Sequence, residues 1–253
     1  MDRLASEWRR LYAASGDDPA ALVDAQGHVR CMVLSLGRPC DWPLLQGVWQ
    51  AVQAELGLPA PGIAVSGTDS YQLWFSLAKA VPATHARAFL TVLCERLLAD
   101  VAPNRLAVWP EVDAAVAATP TVRHAAPIPA PTASHDQWSA FLAPDLAPVF
   151  ADTPWLDLPP NADGQADLLA RLNPVPTQLW HEALARWQTT APMTDPVVAS
   201  SSAAPWNAPG LEPRQFLRHV MHDPSVPLAL RMDAAKALLA HEAPTPAPSP
   251  PCP

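Results

Sequence analysis

The sequence predicts an α+β fold, helices packed on a largely antiparallel sheet, with a small C-terminal helical module. Three observations carry this reading. Apolar runs of strand length, "VRCMVLSLG" at 29–37 and "GIAVSG" with "YQLWFSLA" at 62–78, end in polar turns. Stretches with helical period lie between and after them. The resulting order of helix, hairpin, helix, hairpin, helix, strand lacks the strand–helix alternation of a parallel sheet.

Residues 2–14 place Leu4, Trp8, Leu11 and Tyr12 on one face, which predicts an opening helix that ends near Gly16. "PAALVDAQGHVRCMVLSL" reads as a hairpin about Asp24–Gly27, its second strand, Val29–Leu36, apolar enough to be central. Asp41 is an N-cap for the next helix, with Pro43 in its first turn and Gly57 at its stop. That helix should bury Trp42, Leu45, Val48, Trp49, Val52 and Leu56. A second hairpin turns around Thr68, Asp69 and Ser70, "THARAFLTVLCERLLADV" follows as a helix, and "NRLAVWPEV" as a strand. From 114 to 133 the Ala, Pro and Thr composition suits a loop or extended wrap. "SHDQWSAFLAPDLAPVFA" and "GQADLLARLNPVPTQLWHEALARW" are predicted as helical pieces broken by prolines, with Trp138, Phe141, Leu146 and Phe150 covering the core.

The domain layout that follows is a core over residues 1–188, a proline- and serine-rich linker over 189–210, a helical module over 211–242 and a disordered tail over 243–253. Within the module, Pro213–His222 and Pro227–His241 read as two short amphipathic helices separated by Pro224. With 49% hydrophobic residues in 253, the core has material enough to be buried, and the 32 prolines concentrate after residue 100. A formal net charge of −8 excludes a broad basic face for nucleic acid, though not a local groove. Cys31, Cys40, Cys94 and Cys252 show no metal-binding spacing, which suggests a reducing compartment and no zinc. Without an apolar leader at the N-terminus or a run of about 18 apolar residues, a cytoplasmic location with no membrane partner is expected.

Chemistry concentrates at the second hairpin. A tight turn at Ser66–Gly67 can expose backbone N–H groups for a phosphate, while the returning strand aims Gln72 at it. Taken alone, "SGTDS" is equally an ordinary polar turn between core strands. The hairpin "VSGTDSYQLWFSL" resembles the second motif of the archaeo-eukaryotic primase and primase-polymerase superfamily, with Ser66 and Gly67 at the turn and Gln72 at or beside the family's His. The resemblance, over roughly residues 20–115, implies that "VRCMVLSLG" stands where the family's first motif ends in two aspartates that hold metal ions. Ser35 and Gly37 occupy those positions, and neither binds a divalent cation as a carboxylate does. For the family's third aspartate the candidates are Asp100 and Asp113, and a shifted alignment would instead bring Asp41 and Asp69 together.

The resemblance thus implies a catalytically degenerate primase-polymerase-like protein of a mobile element or replication system, binding a nucleotide or single-stranded DNA through Ser66, Gly67, Asp69, Ser70 and Gln72. Magnesium or manganese is expected only if activity remains. Trp109 and Trp206 are the tryptophans in least regular surroundings, hence candidates for base stacking, and Arg30, Arg38, Arg105 and Arg123 could line a groove. His219 and His222 share a helix face but lack a third ligand, and no phosphate-loop glycine motif occurs. The segment "PRQFLRHVMHDPSVPLALRMDAAKALL" resembles a helical segment of phage small terminase subunits, which points the same way. The alternative is a non-enzymatic adaptor that presents its C-terminal helices to a protein partner.

Overall fold

The computed structural model describes residues 2–14, 21–113, 121–133, 136–189 and 238. Met1–Pro192 form one compact unit and Met193–Pro253 a second. Residues 190–210 of the predicted linker, the helical module but for residue 238, the tail, Trp206, His219 and His222 lie outside the described residues.

The first unit is α+β. Strand β1 (His28–Gly37) lies between β3 (Ser70–Pro82) and β4 (Leu106–Trp109), while β2 (Gly62–Val65) joins β3 to β7 (Ala140–Leu142). The order is β4-β1-β3-β2-β7, and every pairing in it is antiparallel. A separate two-stranded ribbon pairs β5 (Glu111–Asp113) with β6 (Thr121–Arg123). The central strands are apolar on both faces because both are covered, and alternation sorts their side chains. Met32, Leu34, Leu36, Tyr71, Leu73 and Phe75 face α2 (Trp42–Ala54), α3 (Ala83–Leu97) and α5 (Thr177–Thr189). Cys31, Val33 and Trp74 face α1 (Arg3–Tyr12), together with Leu169 of α4 (Ala162–Ala170) and Ala125 and Ile128 of the wrap.

Apart from α3, which ends at Leu97 rather than Val101, the first helices start and stop where their sequences predict, with one exception. Asp2 caps α1 through the Leu4 N–H, and Asp41 caps α2 through the Leu44 N–H. Gly57, at φ +66°, takes the left-handed conformation that stops the chain after α2. The exception is α1, which ends at Tyr12 rather than near Gly16 because Arg30 takes its last carbonyls: the guanidinium donates to Arg10 O and Ala13 O as well as to Leu77 O of β3. Tyr12 stacks on Phe141 at 5.9 Å and meets Trp74 edge-on at 5.3 Å, fixing α1 to the sheet.

Three expectations change. The first hairpin reduces to a single bridge, Val23 to Val29, closed by the Asp24–Gly27 turn, so β1 takes its full partners from β3 and β4. Residues 138–150 are not helical. They form β7 and a short 3-10 turn over Ala147–Phe150, because β2 offers an open ladder that Ala140–Leu142 complete, while Pro144 and Pro148 remove helix donors. Phe141 is consequently buried, as expected, but Leu146 is 52% exposed and covers nothing. Trp49 is only half-buried, its indole N–H donating to Pro61 O.

Helix side chains hold main-chain groups of both outer strands. Arg87 of α3 donates to Val108 O of β4, and Gln165 of α4 both accepts from Phe141 N and donates to Phe141 O of β7. No helix among the described residues is long and apolar enough to cross a membrane.

His124 ties the wrap to the sheet. Its Nδ1 accepts from the Ala125 N–H at 2.9 Å, so the proton sits on Nε2, 3.0 Å from Cys31 O. Burial lowers its pKa from the ordinary histidine value. A depressed histidine contributes stability that is complete above about pH 6.5 and lost as pH falls, since the unfolded chain binds the proton first. The melting temperature should therefore drop between pH 7 and 5, and His124→Gln should flatten that slope; an unchanged slope would show that protonation of His124 is not coupled to folding.

Candidate functional site

The pairing of β1 with β3 brings together the two segments singled out in the sequence. Gly37 lies opposite Ser70 and Ser35 opposite Gln72, while on the other side of β1 Ser35 faces Ala107 of β4. Partners in an antiparallel pair point to the same face. Ser35, Ser70, Gln72 and Ala107 thus form the floor of a cleft of about 320 Å³ at one end of the sheet. Ser66, Thr68 and Asp69 of the β2–β3 turn, together with Gly37, Arg38, Asn104, Arg105, Leu106 and Trp109, complete its lining. A wider cleft of about 620 Å³ between α3 and β4 has mostly aliphatic walls and holds none of the predicted site residues.

Of the expected residues, Ser66, Asp69, Ser70 and Gln72 line the cleft, and Gly67 does not. Gly67 has φ +84°, and a Cβ there would stand 2.8 Å from Ser139 N, so this glycine lets the turn pack against the chain entering β7. The turn also differs in its hydrogen bonding. Rather than offering its N–H groups outward, it directs those of Thr68, Asp69 and Ser70 onto Ser66 Oγ at 3.1–3.2 Å, and Gly67 N–H donates to Pro154 O. Ser66 therefore shapes the turn, and the backbone donors expected for a phosphate are already used.

Donors remain on the floor. Ser35 Oγ and Ser70 Oγ are 2.9 Å apart and share one hydrogen bond, which leaves one hydroxyl proton over. Gln72, 8% exposed, accepts from the Trp74 indole with Oε1, and its amide nitrogen has no partner among the described residues. Arg105 donates through Nε to Gly37 O and through Nη2 to Pro39 O, leaving Nη1 unpaired among the described residues. Arg38 reaches Asp69 from the rim at 2.8 Å. The other two arginines are structural: Arg30 caps α1, and Arg123 pairs with Glu111 and Asp113 across the ribbon.

The carboxylates do not gather as a metal site requires. Asp41 caps α2 and lies outside the cleft lining, 3.9 Å from Arg105, whereas Asp69 lines the cleft. Asp100 is exposed beyond α3 and Asp113 is on the ribbon, while β4 places Ala107 beside Ser35. Among the described residues no group of three or more His, Cys, Asp or Glu could hold a metal ion. The divalent ions that the primase-polymerase resemblance implies therefore do not fit these side chains. Cys40, at the cleft's edge, donates its S–H to Asp69 O. Burial, helped by the Asp69 charge, pushes its pKa up to about 11, so it is a thiol rather than a nucleophile at neutral pH.

Asn104 and Ala107 were not evident as site residues, since nothing in "APNRLAVW" announces that β4 pairs at the end of β1. No protein-family model matches the chain, and no curated protein matches its sequence.

Gly37 is sterically closed to any side chain. A Cβ at this position would sit 2.6 Å from Asp69 O and 2.8 Å from Ser70 Cβ, so no side chain fits while β1 and β3 stay paired. Gly37→Ala should cost about 1–3 kcal/mol in chemical denaturation. Ser66→Ala, which strips three N–H groups of their shared acceptor in an exposed turn, should cost about 1 kcal/mol. Equal stability of either variant to wild type would remove the corresponding constraint.

Proposed function

We propose that this chain is a nucleotide- or nucleic-acid-associated protein of primase-polymerase type, catalytically degenerate, that serves the replication or maintenance of a mobile element. The observation that carries the reading is the cleft at the end of β1, β3 and β4, where unpaired hydrogen-bond donors, two arginines and Trp109 share one lining. Donors and guanidinium groups suit phosphate oxygens, and an indole suits a base. Neutral Ser35 and Gly37, at the positions where the resemblance implies acids, support binding without nucleotidyl transfer. A local site of this kind is compatible with a net charge of −8, because it needs two cations rather than a basic face.

ATP or a single-stranded oligothymidylate should raise the melting temperature of the full chain, by the equivalent of about 2.7 kcal/mol at a hundredfold excess over Kd. Ser70→Ala combined with Gln72→Ala should abolish the shift, and primer extension with magnesium or manganese should yield no product. Absence of a shift with both ligands would overturn the proposal in favour of the adaptor reading, in which the C-terminal helices meet a protein partner.

A further inference from the structure

We infer that the cleft takes a nucleotide's phosphate without a divalent cation, and that Asp69 is an internal anion which this phosphate displaces from Arg38. The inference rests on the nucleotide reading above and adds to it the mode of binding and a built-in competitor.

Among the described residues that line the cleft, Asp69 is the one acid. It is already engaged: Oδ2 accepts from Arg38 Nε at 2.8 Å, and Oδ1 accepts from Thr68 Oγ1 at 3.4 Å. A second carboxylate cannot be added on β1 at position 37, where Asp69's own carbonyl oxygen fills the space of a Cβ. The cleft thus has no pair of anionic oxygens for a metal ion, whereas it has cations and donors for the phosphate itself.

The Arg38–Asp69 pair is poorly placed to resist a competitor. Its side chains are 73% and 48% exposed, and one guanidinium nitrogen makes the contact. Exposed single-point pairs are weak, while a phosphate can engage a guanidinium bidentately and stay hydrogen-bonded to other donors. Those other donors are at hand in Gln72 Nε2, the spare hydroxyl proton of the Ser35–Ser70 pair and Arg105 Nη1, none of which has an acceptor among the described residues. Gln72 is more than nine-tenths buried, and its unpaired amide nitrogen is open to the cleft.

The second half of the ligand is indicated by Trp109. It pairs in register with Val33, whereas the Arg38 end of the cleft begins at Gly37, four residues further along β1. At about 3.3 Å per residue the two ends are roughly 13 Å apart along the strand. A base against Trp109 and a phosphate at Arg38 and Arg105 would use both, and an inorganic phosphate only one.

The test is equilibrium titration of the full chain with ATP and with inorganic phosphate, in EDTA and in magnesium, for wild type, Asp69→Asn and Arg38→Gln. Equal ATP affinity in both buffers, about fivefold tighter binding by Asp69→Asn, and a loss of about tenfold or more in Arg38→Gln are expected, with inorganic phosphate weaker throughout. Both variants change exposed side chains, and matching circular-dichroism melts establish that they fold. Binding that requires magnesium, or that weakens in Asp69→Asn, would overturn the inference and leave the nucleotide reading standing. No ATP binding by any of the three proteins would overturn the inference, and failure of the oligothymidylate as well would overturn the reading it rests on.

Discussion

The pairing of β1 with β3 is the constraint on which the molecule depends. It is the long ladder of the sheet, and alternation along it divides two layers of helices between opposite faces. Shifting the register by one residue would turn Ser35 and Gln72 into the layer of Leu34, Leu36 and Leu73 and send those leucines toward the cleft. Burial of both faces forbids that, because it would strand polar groups without water. Core packing and the composition of the cleft are therefore one fact: the residues that face α1 in the middle of the strands face the cleft at their ends.

That ladder also accounts for the chemistry the cleft lacks. At Gly37 the strands approach so closely that the backbone of the β2–β3 turn fills the space of a side chain. Two residues earlier, Ser35 is tied to Ser70, and across β1 the matching position is Ala107. The floor positions Ser35 and Ala107 are thus neutral, and Gly37 is closed to any side chain. The polarity that remains is carried by amide, hydroxyl and guanidinium groups, which favour an anionic ligand over a cation.

Much of this was legible in the residues. Asp41, Pro43 and Gly57 mark α2 because capping, a fixed φ and a left-handed stop are local effects. The polar turn at 66–70 and its apolar flanks locate the hairpin, and with it one wall of the cleft. Local signals failed where distant partners decide. Trp138 and Phe141, spaced at three, suggest a helix turn, yet β2 draws this segment into the sheet. Arg30 and Arg105 look alike in sequence, but one caps α1 and the other reaches the cleft, which depends on the end of β1 at which each arrives. The use of Ser66 Oγ as acceptor for three N–H groups is a matter of tenths of an ångström in a turn, and composition carries no trace of it.

The grip of Arg87 on Val108 and of Gln165 on Phe141 bears on how the protein behaves in company. A flank whose peptide groups are free is a template that recruits further strands, from other copies or from unfolded chains. Here side chains from α3 and α4 engage such groups at each margin, one carbonyl of β4 and both peptide groups of Phe141 in β7. A companion that enrols by adding a strand would have to displace those side chains first.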